Sequence, residues 1–127
     1  MSPRPDLAAE SRDSHLTLRR VERQHAILDR LLDAAEPLTA PRLAAELGVS
    51  QRTVVRDLRR LRESGVPLTV STGPHGGVRM SRRGSLPAIQ FDRAEVGALI
   101  AALVALGPTA TDSAASAMRK LTGAIGS

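Results

Sequence analysis

The sequence predicts a mainly α-helical chain with one small β-hairpin, and three observations lead there. Apolar residues recur with helical spacing through most of residues 17–65 and again through 91–125. A single stretch, residues 66–80, alternates like strands around a glycine-rich turn. Two short helical segments meet at Gly48-Val49-Ser50, with a cap residue on either side of the corner.

The corner organises the rest. Thr39 is a good N-cap for the first short helix, because its hydroxyl accepts an orphan amide hydrogen bond. Pro41 follows in the first turn, where its missing N–H costs nothing. Leu43, Ala44 and Leu47 share one face, and Gly48 supplies the positive φ that ends the helix. Val49 is expected to be the buried residue of the turn. Ser50 caps the second helix, along which Val54, Leu58 and Leu61 recur until Ser64-Gly65 stops it. At about 100° per residue, Arg52, Arg56 and Arg59 fall on the side opposite that stripe. One face suits a core and the other suits phosphate and guanine. That is a helix-turn-helix.

A supporting helix is expected over residues 17–35, where Leu18, Val21, Leu28, Leu31, Leu32 and Ala35 lie mostly on one side. His25, near that side, reads as a partly buried or solvated histidine, since no partner stands at metal spacing. After the second short helix, Val66, Leu68 and Val70 point inward from a first strand, and Val78-Arg79-Met80 returns as the second. Pro67 confines the first strand to an edge. The loop between them does not cradle a nucleotide phosphate, because no helix N-terminus and no Lys-Ser/Thr follow it. The expected fold is therefore a winged helix-turn-helix, three helices plus a two-stranded wing, followed by a C-terminal helical pair.

That pair begins at Phe91. Asp92 and Glu95 form a capping-box pattern, and Phe91 is placed to staple onto Val96. No polar side chain occurs from Val96 to Leu106, a run far shorter than the roughly twenty residues that span a bilayer. Such a helix must be covered by protein. Gly97, Ala101 and Ala105 make a small-residue stripe, and Val96, Leu99, Ile100, Leu103 and Leu106 are the bulky residues expected to join two copies as a homodimer. Packing back onto Ile27, Leu31 or the wing is the competing arrangement. Gly107-Pro108 ends the helix, and Thr111 or Asp112 caps a last one over residues 113–125.

Charge is unevenly placed. The net charge is +5, yet residues 17–84 alone carry thirteen Arg against seven acids, whereas the last forty-three residues are neutral. Positive charge confined to the reading domain points to a polyanion. Seventeen of the eighteen basic residues are Arg, so a genome rich in G and C is a second source of the same bias. With no Cys there is no disulfide, thiolate zinc site or cysteine nucleophile, in keeping with a cytoplasmic, nucleoid-associated protein. Residues 1–16 lack the apolar segment of a signal peptide and read as a disordered arm. The three histidines are scattered and no nucleophile elbow occurs, so neither an enzyme nor a metal or other cofactor is expected. One Phe and no Tyr or Trp leave no platform for stacking single-stranded bases, which selects double-stranded DNA.

The residues also carry a family resemblance. Leu43-Ala44-Ala45-Glu46-Leu47-Gly48-Val49-Ser50, Arg52-Thr53-Val54 and Arg56-Asp57-Leu58 resemble the winged helix-turn-helix of the DeoR class of bacterial regulators. Gly65-Val66-Pro67, Gly76-Gly77-Val78-Arg79-Met80 and Leu86-Pro87 are similar to the branch with a C-terminal WYL domain, across residues 17–120. In that branch the WYL domain is thought to sense a ligand. This sequence ends before it, so no effector is assignable.

The expected division is a 1–16 arm, a 17–81 DNA-binding domain, an 82–90 linker and a 91–127 dimerisation or connector segment. Gln51, Arg52, Val55 and Arg56 are expected at base edges, where Arg pairs with guanine and Gln with adenine. Arg42, Ser50, Thr53, Arg59, Arg60, His75 and Arg79 are expected on the backbone, with the wing beside the minor groove. Asp57 is expected to orient a neighbouring arginine rather than meet DNA, where its charge would repel phosphate. The alternative is a protein-interaction module, or a truncated regulator half that heterodimerises with full-length relatives.

Overall fold

A computed structural model describes residues 7–74, 76–80 and 86–126 of the chain. Its elements run α1 (Leu7–Asp33), α2 (Ala40–Leu47), α3 (Gln51–Glu63), β1 (Leu68–Ser71), β2 (Gly77–Met80), α4 (Arg93–Leu106) and α5 (Asp112–Gly126). This is the expected mainly helical chain with a two-stranded antiparallel wing and a C-terminal helical pair. It divides into two compact units, Met1–Ser85 and Leu86–Ser127.

In the first unit, Ile27 and Leu31 of α1, Leu43 and Ala44 of α2 and Val54, Leu58 and Leu61 of α3 make one interior. Non-directional burial of these aliphatic groups holds the three helices together. The corner is capped at both ends. Thr39 Oγ1 accepts from the Arg42 amide at 3.2 Å, Gly48 adopts φ 67°, and Ser50 Oγ accepts from the Thr53 amide at 3.1 Å. Val49 is half-buried against this core rather than sealed in it.

Helix α1 starts at Leu7, so residues 7–16 are helical where a disordered arm was expected. Leu7-Ala8-Ala9-Glu10 are strong helix formers, and no Gly or Pro interrupts the chain between Pro5 and Pro37. The first six residues of that arm, His75 of the wing turn, and residues 81–85 at the start of the expected linker lie outside the described residues.

The wing pairs Leu68 with Met80 and Val70 with Val78. A third partner was not foreseen. Leu38 bridges the other edge of β2, with Leu38 N–H donating to Val78 O and Val78 N–H to Leu38 O, both at 2.8 Å. This ties the wing to the α1–α2 connection. Leu68 is buried as expected and Val66 half-buried, but Val70 is 49 % exposed; Val78 of the partner strand is buried too. Val70 lines an open groove, which leaves it uncovered there.

In the second unit α4 and α5 pack as a helical hairpin, with Val96 and Ala114 buried. The capping box forms, as Asp92 Oδ1 accepts from the Glu95 amide at 2.8 Å and Glu95 Oε1 from the Asp92 amide at 3.0 Å. Thr111 Oγ1 accepts from the Ala114 amide at 3.0 Å and starts α5. Among the described residues, no helix is long and apolar enough to cross a membrane.

Candidate nucleic-acid interface

The interface is built on α3. Its Val54, Leu58 and Leu61 are anchored in the core, which turns Gln51, Arg52, Val55, Arg56 and Arg59 outward. No ion pair among the described residues takes Arg52, Arg56 or Arg59. These three guanidiniums therefore present uncompensated charge and free hydrogen-bond donors on one helix face. Val55, 42 % exposed, is an apolar point beside them.

Between this face and the wing lies a groove of about 850 Å³. Its walls include Val55, Arg59, Arg62 and the acidic Glu63 of α3, and Val70 and Gly77 of the hairpin. Arg62 is a lining residue that the sequence reading missed, although its spacing from Arg59 and Val55 marks one helical side. Arg79 is exposed on β2, opposite Thr69 in the strand register.

Other expected contacts are placed differently. Arg42 is not free, since its Nε donates to Glu46 Oε1 at 3.3 Å. Glu46 also receives a two-point contact from Arg30 of α1, at 2.7 and 3.0 Å. The Arg30 hydrogen bond holds the Glu46 carboxyl below its ordinary range. Arg60, one turn on from Arg56, lines a separate polar pocket of about 310 Å³ with Arg20 and Gln24 of α1. It belongs to the last turn of α3, where a cation complements the helix dipole. Ser50 is exposed at the start of α3, but its hydroxyl already caps the Thr53 amide and stands 2.9 Å from the Thr53 hydroxyl.

Asp57 differs most from a surface carboxylate. It is buried, and it holds Arg23 of α1 through a two-point contact, Nε to Oδ2 and Nη2 to Oδ1, the latter at 3.1 Å. Gln24 Nε2 adds a donor to Oδ1 at 3.4 Å. The expectation that Asp57 orients a neighbouring arginine is corrected: its partner, Arg23, is thirty-four positions away on α1 and packs against it from another helix. The hydrogen bond to Asp57 raises the Arg23 pKa further. The arginines thus divide. Arg23, Arg30 and Arg42 are spent on carboxylates within the fold, while Arg52, Arg56 and Arg59 are not.

The dimerisation set also divides. Val96 is sealed inside the α4–α5 unit, Ile100, Leu103 and Leu106 are half-buried, and Leu99 is 37 % exposed. Val104, which was not singled out, is 57 % exposed. The apolar face of α4 left open is therefore Leu99 and Val104 flanking Ala98, Ala101 and Ala105.

Residues 23–79 match the family model of a helix-turn-helix domain, described as HTH domain. The matched segment starts within α1 and ends within β2, so it takes in the last part of α1, all of α2 and α3 and most of the wing. The chain carries a helix-turn-helix DNA-binding domain over these residues. No solved structure matches it significantly.

Proposed function

We propose that this protein is a sequence-specific transcriptional regulator of the DeoR type, similar to the DNA-binding half of WYL-domain regulators, that reads double-stranded DNA as a homodimer in the bacterial cytoplasm. The observation that carries this is the unpaired Arg52–Arg56–Arg59 face of α3, whose Arg59 also lines the groove that α3 shares with the wing. On this reading α3 enters the major groove. Gln51, Arg52, Val55 and Arg56 meet base edges, and Arg59, Arg79 and the wing turn follow the backbone and minor groove. Arg42 joins them only when phosphate draws it from Glu46. Residues 17–81 form the reading domain, 82–90 the linker and 91–127 the dimerisation segment.

Selection from a random duplex pool, followed by anisotropy titration in a salt series, tests the reading. The expected result is an enriched inverted repeat. Arg52→Ala or Arg56→Ala then weakens that duplex by roughly 10- to 100-fold and relaxes particular positions, as losing a bidentate base contact worth about 1–3 kcal/mol requires. Equal binding to all duplexes, governed by salt alone, overturns it. The exposed Leu99 and Val104 favour a second reading, an interaction module. That reading gains if association with other chains survives Arg52→Ala while DNA binding was absent from the start.

A further inference from the structure

Among the described residues, one charged side chain is sealed inside the fold, and it sits on the helix proposed to read DNA. Asp57 is 1 % exposed, on a core-facing side of α3 otherwise made of Val54, Leu58 and Leu61. A buried carboxylate is tolerated only when paired and hydrogen-bonded. Arg23 and Gln24 meet that condition, and no buried side-chain N or O among the described residues lacks a partner.

The pair differs in kind from the aliphatic contacts around it. Burial of Val54, Leu58 and Leu61 is non-directional and is compatible with a range of helix roll angles. A fork-to-carboxylate contact is planar and two-pointed, so it fixes an angle as well as a distance. Asp57 directly follows Arg56, and any roll of α3 swings Arg52, Arg56 and Arg59 together. At a side-chain radius of about 6 Å, a roll of about 20° displaces the arginines by about 2 Å. Recognition geometry tolerates about 0.5 Å.

We infer that Arg23 and Asp57, supported by Gln24, are positioning residues that set the roll of α3, and through it which bases the arginines of α3 select. The inference rests on the proposed reading of duplex DNA. It separates specificity from stability, because Asp57 is buried and Arg23 half-buried, and replacing such an ion pair by apolar residues of similar size commonly leaves stability unchanged or raised. Without the pair the same arginines still attract phosphate, so general affinity and its salt dependence persist.

The test uses the full chain and the double substitution Arg23→Met with Asp57→Leu. Thermal unfolding reports stability. Residual dipolar couplings of the α1 and α3 amides report the roll of α3 without any DNA. The ratio of affinity for the duplex selected by the unsubstituted chain to that for random duplex reports specificity. The expected result is an unfolding temperature at or above that of the unsubstituted chain, a shifted phase of the α3 couplings, and at least a tenfold fall in the ratio with an unchanged salt slope. If the double variant does not fold, Arg23→Lys carries the same measurements, since it keeps the charge but loses the fork. An unchanged α3 phase with full discrimination overturns the inference. If the unsubstituted chain selects no duplex, the DNA reading itself has failed. The couplings then decide alone whether the pair sets the helix, and an unchanged phase overturns that too.

Discussion

At the scale of single residues, what separates the arginines is their partners rather than their number. Arg30 and Arg42 converge on Glu46, so one carboxylate compensates two cations where α1 meets α2. Because the Arg30 hydrogen bond lowers the Glu46 pKa below its unfolded value, the contact stabilises the folded state at neutral pH. That stabilisation disappears as pH falls through the lowered folded value. The side chains are substantially exposed, so it is also screened by salt. Glu46→Gln should therefore lower the melting temperature slightly at neutral pH and low salt. The difference from the unsubstituted chain should vanish in acid or in high salt, as followed by circular dichroism. A difference that persists in acid would assign Glu46 a role other than its charge. Asp57 holds the opposite lesson. It lies three residues after Val54 and four before Leu61, within the helical repeat of the core, so its burial was legible in spacing alone. Its charge argued for the surface, and the partner that reverses this sits thirty-four positions away. No local pattern names that partner.

At the scale of elements, the parts legible in the sequence are those decided within one turn of chain. Thr39, Gly48, Ser50, Asp92 with Glu95, and Thr111 all act on amides or φ angles within a few residues, and each does so in the structure. Helix α1 was shortened in the sequence reading because residues 7–16 carry a weak apolar pattern, although their helix propensity is high. The Leu38–Val78 bridge was missed because one paired residue leaves no alternation to detect. That bridge makes Gly77 a demanding position. Its φ is 151°, and a Cβ there would stand 2.8 Å from the Leu38 carbonyl oxygen and 3.1 Å from Pro37 Cβ. Neither the backbone oxygen nor the proline ring has room to yield. Gly77→Ala is expected to cost about 1–3 kcal/mol, the range for forcing extra atoms into a packed site. Hydrogen exchange should show the Leu38 and Val78 amides losing protection while α3 keeps its own. Full protection at both amides would mean that the wing is not anchored through this bridge.

At the scale of the whole molecule, the second unit has too little interior of its own. Among its described residues, Val96 and Ala114 are the fully buried ones, while Leu99, Val104 and Ile125 are exposed on its helices. Even with Ile100, Leu103 and Leu106 half-buried, this small interior offsets little of the entropy of ordering two helices, which favours a further covering surface. The sequence reading identified the need from the unbroken apolar run of α4. It chose the bulky residues as the contact, and the structure turns Val96 inward instead. Which face a uniformly apolar helix presents is not written in its periodicity, because it has none. It is set by where α5 packs. A second copy covering Leu99, Val104 and the alanines between them would join two reading domains. Bivalent contact with two half-sites would then strengthen binding by about 10²–10⁴ over one half-site. Sedimentation velocity should accordingly show a dimer for the unsubstituted chain and a monomer for Leu99→Asp with Val104→Asp. In the substituted chain, binding to a duplex with both half-sites should fall to the level of a single half-site, and single-half-site binding should not change. A chain that sediments as a monomer before substitution, and binds both duplexes equally, would remove the dimer. The open face of α4 would then be left to a different partner.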